Sequence, residues 1–347
     1  MMPLSLADLP LVCPQCQGPV RAAHASYACD GCSRVYPVLF GIPDFRVRSD
    51  RYLDLQAETA KATRLAEAAA TRSFEQLLDF YYEITDDVPP ELARLYKASI
   101  LNGIRHADLV AADLMAAMAA APPDAIALDA GCGAGAMLVA ADRRGVRIVG
   151  VDIALRWLVI CRKRLDELGL PIPLICADLS DPPFAAQTFD ALTAIDLVEH
   201  VPDIPGLMHA LAMVSRPGAP LWLTSANGRT VGPHPSTRLW AIGWLPAGIR
   251  TAVVKKLRGV DSLRFSNLIS PLQMRRIAEC AGFAVVESRP RRIAAPDRRY
   301  PYAERMLIRL YQRLGRLPLV DRLLLHIGPA FELYLHRGTM LTRGPRQ

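Results

Sequence analysis

Between residues 125 and 225, short apolar runs alternate with longer stretches whose apolar positions recur every three or four residues. The runs Ala125–Leu128, Arg147–Val151, 172–176, 189–195 and 220–225 predict buried strands, and 134–144, 154–169 and 204–215 predict helices. Such alternation predicts an α/β fold with a mainly parallel sheet. A helix over 271–281 and a strand over 283–289 resume the pattern, and "YLHRGTMLTRG" predicts a last strand, which leaves 295–330 as an insertion. Upstream, 51–83 and 91–121 read as two helical segments, the second with Leu92, Tyr96, Ile100, Ala107, Leu114 and Met118 at helical spacing. Pro-Pro pairs at 89–90 and 122–123 bound that second segment.

The turn after the first α/β strand holds the first candidate chemistry. "ALDAGCGAGA" puts Gly131, Gly133 and Gly135 between a strand and a helix, where bare backbone lets a ligand approach a helix N-terminus. Asp152 closes the next strand, 21 residues past Gly131, placed to accept the hydroxyls of a ribose. A nucleoside pocket is expected. Gly131, Gly133 and Ala136 also satisfy the G-x-G-x-x-G/A pattern, so on this loop alone a nicotinamide or flavin dinucleotide competes.

The eight cysteines divide into two sets. Cys132, Cys161, Cys176 and Cys280 are scattered and suit reduced thiols. "CPQC" and "CDGC" place Cys13, Cys16, Cys29 and Cys32 as C-x2-C-x12-C-x2-C, the spacing of a four-thiolate zinc site. A segment of roughly forty residues cannot bury enough apolar surface to fold unaided, so a structural zinc is expected there. His24, inside the long spacer, is expected to face solvent.

Length and composition, with 51% hydrophobic residues, fit a globular chain of about two domains. The N-terminus lacks the basic start and apolar run of a signal peptide, and no run of ~20 uncharged apolar residues predicts a transmembrane helix. A cytoplasmic location is the expectation.

From about residue 95 to 285 the ordered segments "DAGCGAG", "VDIA", "ADLSDPPF", "FDAL" and "LVEHVPD" resemble the class I S-adenosylmethionine-dependent methyltransferases. The resemblance implies a Rossmann-like seven-stranded sheet ending in an antiparallel hairpin. It implies that Asp129 and the loop residues Gly131, Cys132, Gly133 and Gly135 hold the amino-acid end of S-adenosylmethionine. Asp152 would hold the ribose and Asp178 with Leu179 the adenine, with Ile153 a further implied cofactor contact. A dehydrogenase is not expected to carry "ADLSDPPF" or the "EHVPD" turn.

Within that class "AIDLVEHVPD" looks most like the ubiquinone-biosynthesis O-methyltransferases, in which two acids and a histidine cluster after the fourth strand. Here these are Asp196, Glu199 and His200, with Asp in place of the usual Glu at the first. Asp196 also counts among the implied cofactor contacts. Three roles stand open for His200: general base, turn residue, or member of a site in which Asp196 and Glu199 hold a divalent cation that acidifies the acceptor hydroxyl. The acceptor would be a small-molecule, glycan or lipid-linked hydroxyl.

Two insertions, at about 228–270 and 295–330, are expected to select the acceptor. The first brings Trp240 and Trp244, with six basic residues between 230 and 270 against one acid, Asp261. In the second, Arg305, Arg309, Arg313 and Arg316 line one helix face beside Met306, Leu310, Leu314 and Leu317. A basic amphipathic helix suits the inner face of an anionic membrane, or simply a solvated surface.

The net charge of +7 and the cysteine segment keep RNA as the alternative acceptor, since that segment resembles both the zinc-ribbon activator subunit of tRNA and rRNA methyltransferases and the ribbon fused to rRNA guanine methyltransferases. Against RNA stand the 7% aromatic content and the lack of an N-P-P-[YF]-type loop. A silent scaffold is the third reading, and the intact cofactor motifs argue against it. The expected organisation is a zinc ribbon over 1–46, a helical linker or cap over 47–121, and a methyltransferase part over 122–347.

Overall fold

The computed structural model describes residues 4–338. β1 (Val20–Ala23), β2 (Ser26–Cys29), β3 (Val35–Leu39) and β4 (Ile42–Pro43) form a small antiparallel sheet in that order. Three helices follow: α1 (Leu55–Ala69), α2 (Phe74–Glu83) and α3 (Pro90–Met118). The single helical segment expected over 51–83 is thus two. Ser73 caps α2 through the amide of Gln76 while the Gln76 side chain returns to the Ser73 amide, a reciprocal box that starts a helix afresh.

The α/β part runs β5 (Ala127–Ala130), α4 (Ala136–Asp142), β6 (Ile148–Asp152), α5 (Leu155–Glu167), β7 (Leu174–Cys176), β8 (Ala191–Ile195), α6 (Ile204–Val214), β9 (Pro220–Ala226), α7 (Ala247–Arg258), α8 (Pro271–Cys280), β10 (Phe283–Pro290), α9 (Tyr302–Leu314), α10 (Pro318–Ile327) and β11 (Ala330–Arg337). The seven strands pair in the order β10-β11-β9-β8-β5-β6-β7. β11 lies antiparallel to both β9 and β10, and the remaining pairs are parallel, so the sheet has the hairpin edge that the resemblance implied.

The last strand starts earlier than "YLHRGTMLTRG" suggests. Its first half, "AFEL", is buried and carries Glu332, whose charge masks the strand in sequence and is met in the fold by Arg289 and Arg292. Residues 339–344 of the predicted strand lie outside the described residues. α6 and α8 cover one face of the sheet, with Leu207, Leu211 and Met274 in its core. α1–α5 cover the other, with Leu65, Leu77, Leu138 and Leu158 packed together. No helix of the described residues is long and apolar enough to cross a membrane.

The small sheet docks on the open edge of the large one. Val12 N–H donates to the Pro183 carbonyl at 3.1 Å and Ala185 N–H to that of Pro10 at 2.9 Å. Asp44 bridges Cys176 in parallel, and Phe45 N–H donates to the Cys176 carbonyl at 2.7 Å, so the chain after β4 extends the edge next to β7 and covers it. Phe45 is 1% exposed, its ring 4.8 Å from that of Tyr36, in one cluster with Val151, Ile175 and Phe184. Phe45→Ala is therefore expected to cost about 3–5 kcal/mol. Urea unfolding of the full chain checks it; a loss under about 1 kcal/mol would show that the docked sheet adds little to the core.

Candidate active site

A cavity of about 1880 Å³ opens over the C-terminal ends of β5, β6, β8 and β9, the place where open α/β sheets bind ligands. It gathers Asp129, Gly131, Cys132, Gly133, Asp152, Ile153, Asp178, Leu179, Asp196, Glu199 and His200. Gly135 does not line it. At φ +76° Gly135 starts α4, and a Cβ there would meet the Cys161 sulfur at 2.5 Å, so this glycine serves close packing of α4 on α5. Gly131, at φ +74°, lies against Leu197.

The loop amides are not free, as the glycine pattern suggested. Gly131 and Cys132 N–H both donate to the Val151 carbonyl, at 2.8 and 3.0 Å, and Gly133 N–H donates to Asp152 Oδ2 at 2.9 Å. Asp152 Oδ1 accepts from Ala154 N–H at 2.9 Å. Each oxygen keeps a second lone pair for a hydroxyl donor. Burial pushes the Asp152 pKa up, while the two amides pull it back.

Asp129 is 2% exposed and accepts one hydrogen bond, from Thr193 Oγ1 at 2.7 Å. Burial raises its pKa to about 7, with Thr193 opposing and Asp152 adding to the rise. No Lys, Arg or His among the described residues pairs with it, so it is a carboxylate short of a cation. Asp178 Oδ1 accepts from Ser180 N–H at 2.8 Å, which leaves Leu179 buried at the cavity wall.

The three residues of the "DLVEH" segment point in different directions. Asp196, at φ +54°, meets Arg291 Nη1 through both oxygens at 2.6 and 2.7 Å. Glu199 is buried, accepts from Ser225 Oγ at 3.0 Å and Ala226 N–H at 3.1 Å, and has its pKa raised to about 7 by burial and by Asp196. His200 closes a short 3-10 turn with Nδ1 2.8 Å from Tyr52 Oη. Its ring faces the open cavity yet is crowded by protein behind, and that crowding lowers its pKa against the pull of Asp196 and Asp152. The divalent-cation role finds no site here. Asp196 and Glu199 are engaged by Arg291, Ser225 and Ala226, and the cysteines form the one group of three or more candidate ligands within reach of each other among the described residues.

Those cysteines sit at the tips of the small sheet. The sulfurs of Cys13, Cys16, Cys29 and Cys32 all lie within 4.8 Å of one another, with pairs at 3.4 and 3.6 Å. Four sulfurs about 2.3 Å from a tetrahedral zinc stand roughly 3.8 Å apart, so the set fits that ion. Gly31 N–H donates to Cys29 Sγ at 3.3 Å, and a Cβ at Gly18 or Gly31 would crowd Cys16 Sγ at 3.3–3.4 Å. His24 is exposed.

The family model described as a methyltransferase domain matches residues 128–223. Those residues carry the glycine loop, the candidate cofactor aspartates Asp129, Asp152, Asp178 and Asp196, and the "DLVEH" turn on a sheet of the implied order. The α/β part of this chain has the class I methyltransferase fold. The ubiquinone biosynthesis O-methyltransferase of Methylocella silvestris is 32% identical over 35% of this chain and 48% of its own length, and that of Hahella chejuensis 33% identical over 35% and 50%. The chain thus spans about half the length of these curated relatives. Among solved structures, geranyl diphosphate C-methyltransferase from Streptomyces coelicolor A3(2), in complex with magnesium, a substrate analogue and S-adenosyl-L-homocysteine, is similar at 18% identity and a TM-score of 0.44, over 66% of this chain and 75% of that one.

The site also draws on residues that sequence reasoning did not single out. Arg51 Nη1 donates to the Phe265 carbonyl at 2.8 Å, Tyr52 packs edge-on against Phe265 at 5.1 Å, and both roof the cavity from the linker before α1. That linker is pinned from below. Arg156, at the start of α5, bridges Asp50 at 3.0 Å and Glu58, which is fully buried. Arg46, bidentate to Asp44, reaches the Ile153 carbonyl at 3.4 Å. A lone aromatic amid charges, as in "SDRYLD", is the sole signal the sequence offered for this roof.

Proposed function

We propose that the chain transfers the methyl group of S-adenosylmethionine to a hydroxyl of a bulky, largely apolar acceptor. The observation that carries this is a single cavity with an unpaired, buried Asp129 and the bridged Asp152 at one end and His200 at the other. The name shared by the curated relatives supports oxygen as the accepting atom. The division into ribbon (1–46), linker (47–121) and catalytic part (122–347) belongs to the same proposal.

S-adenosylmethionine supplies a methyl already activated on a sulfonium sulfur, so the chain has to bind, align and remove one proton. Asp129 would take the ammonium of the amino-acid end and Asp152 the ribose hydroxyls, while Asp178, Leu179 and Ile153 would bracket the base. His200, neutral near pH 7 because its pKa is lowered, would take the acceptor proton on Nε2 while Nδ1–H is held by the Tyr52 oxygen. Burial pushes the Tyr52 hydroxyl pKa up to about 12, so it stays protonated throughout. Arg291 holds Asp196 through both carboxylate oxygens at the floor of the proposed acceptor lobe. The four cysteines would hold a structural zinc, closed to chemistry because all four positions are protein.

Calorimetry tests the donor site. Uptake of S-adenosylmethionine is expected to peak between the Asp129 pKa of about 7 and the ~8 of a free α-amino group, because binding needs a carboxylate and an ammonium together. Asp129→Asn should weaken binding and remove the acid limb; no uptake at any pH would sink the functional reading. Incubation with radiolabelled donor and lipid, glycan and RNA fractions identifies the acceptor, and label appearing only in RNA would overturn the choice of a hydroxyl on an apolar molecule. With that acceptor in hand, His200→Ala is expected to lower kcat by ~10²–10⁴ at unchanged donor affinity. Unchanged turnover at saturating acceptor removes His200 from the chemistry. Metal analysis should find one zinc per chain, lost in Cys16→Ser together with a lowered Tm.

A further inference from the structure

Charge is divided unequally along the chain. Residues 1–228 carry 19 Lys and Arg against 27 Asp and Glu, whereas residues 229–338 carry 20 against 7. The positive part includes both insertions, and both reach the cavity: Trp240 and Lys255 from the first, Leu307, Leu310 and Leu314 from the second. The second insertion is a helical hairpin, α9 and α10, in which no residue is buried. Its inner side is tied down by Tyr311 Oη donating to the Arg291 carbonyl at 2.9 Å and Gln312 Nε2 to that of Ile293 at 2.8 Å.

What the hairpin turns outward is apolar. Leu317 is 54% exposed, Leu319 80% and Leu323 53%, and none of the three lines the cavity. Arg309, Arg313 and Arg316 stand exposed on the same hairpin with no carboxylate partner among the described residues. Exposed leucines interleaved with unpaired arginines, beside an opening, make a surface that water alone does not favour. RNA would use the arginines but gains nothing from the leucines, and a second copy of this chain would meet the same positive charge.

We propose that the α9–α10 hairpin seats on an anionic lipid bilayer and that the cavity mouth opens against it, so that the acceptor enters from the membrane. Leucines would sink to the acyl boundary while arginines hold the phosphates, a lying rather than a spanning arrangement. The cavity volume agrees, since ordinary small-molecule pockets run to about 300–1,000 Å³ and this one has room for a long acceptor beside the donor. The membrane contact deepens the proposed function through its acceptor, but the surface is testable without turnover.

Flotation of the full chain with vesicles of phosphatidylcholine and phosphatidylglycerol at low salt is the test. The protein is expected to float with them, to remain below vesicles of phosphatidylcholine alone, and to detach as salt rises. Leu317→Glu with Leu319→Glu, and separately Arg309→Glu with Arg313→Glu, should each weaken partitioning at least about tenfold, with donor uptake by calorimetry unchanged. Absence of flotation at low salt, flotation unaffected by both double variants, retention on RNA in place of vesicles, or self-association that covers the hairpin would each overturn the proposal. Flotation without donor uptake would instead uphold the surface and strike at the catalytic reading.

Discussion

One carboxylate organises the donor end of this molecule. Asp152 ends β6 and spans two backbone amides, Gly133 in the loop after β5 and Ala154 just before α5. Two strand-to-helix turns are thereby tied to one side chain, and the left-handed glycines can hold their shape without a ligand. The cost is a buried charge, visible in the raised pKa, and the two charge-assisted hydrogen bonds offset much of it. A ribose would meet a carboxylate already aimed, with the loop that carries it already folded, which is the condition for affinity without a large ordering penalty.

A second buried set of charges holds the roof on that floor. Arg156 lies between Asp50 and Glu58, two residues of the linker and α1, all three largely shut off from water. Such a triad adds little net stability over an apolar replacement, since desolvation consumes the attraction. Its value is positional. With Asp50 fixed on Arg156, Arg51 and Tyr52 fall over the cavity, and Tyr52 reaches His200. The same stretch of chain leaves the small sheet through Phe45 and Arg46, whose partners are the Cys176 and Ile153 carbonyls. Order in the cysteine-bearing sheet is thus passed to the active-site roof through fewer than ten residues of backbone, a short and largely buried path.

Legibility in the sequence followed the range of the interaction. The alternating strands and helices, the glycine turn and the cysteine knuckles are local patterns with spacings set by backbone geometry, and the fold places each where those spacings imply. Asp129, Asp152, Asp178 and His200 meet in one cavity because they stand at or near strand ends of a parallel sheet, which a register argument can foresee. Tyr52, Arg156 and Arg291 could not be foreseen in this way. Each acts through a partner 95 to 148 positions away, and the immediate neighbours offer at most the lone aromatic of "SDRYLD". The cation role left open for Asp196 and Glu199 turns on the same kind of distant partner: Arg291, directly after β10, pairs with Asp196. Gly135, too, looked like a ligand contact because it shares the loop's spacing, while its constraint is the Cys161 sulfur behind it.

The two halves of the cavity are therefore specified by different means, and that difference bears on the acceptor. The donor half is built from strand ends of the parallel sheet, whose geometry leaves little freedom. The half proposed for the acceptor is lined largely by chain between β9 and β11, held by contacts such as Tyr311 to the Arg291 carbonyl and Asn227 to the carbonyls of His326 and Gly328. A wall attached by a few hydrogen bonds can give way around a flexible chain more cheaply than a sheet edge can. That wall mixes apolar and charged groups: Leu307, Leu310 and Leu314 line it together with Arg238, Lys255, Arg264 and Glu304. On the proposed reading, selectivity would come from apolar area set against these charges and from the Arg291–Asp196 pair, which would hold the head of an acceptor as its hydroxyl approached His200.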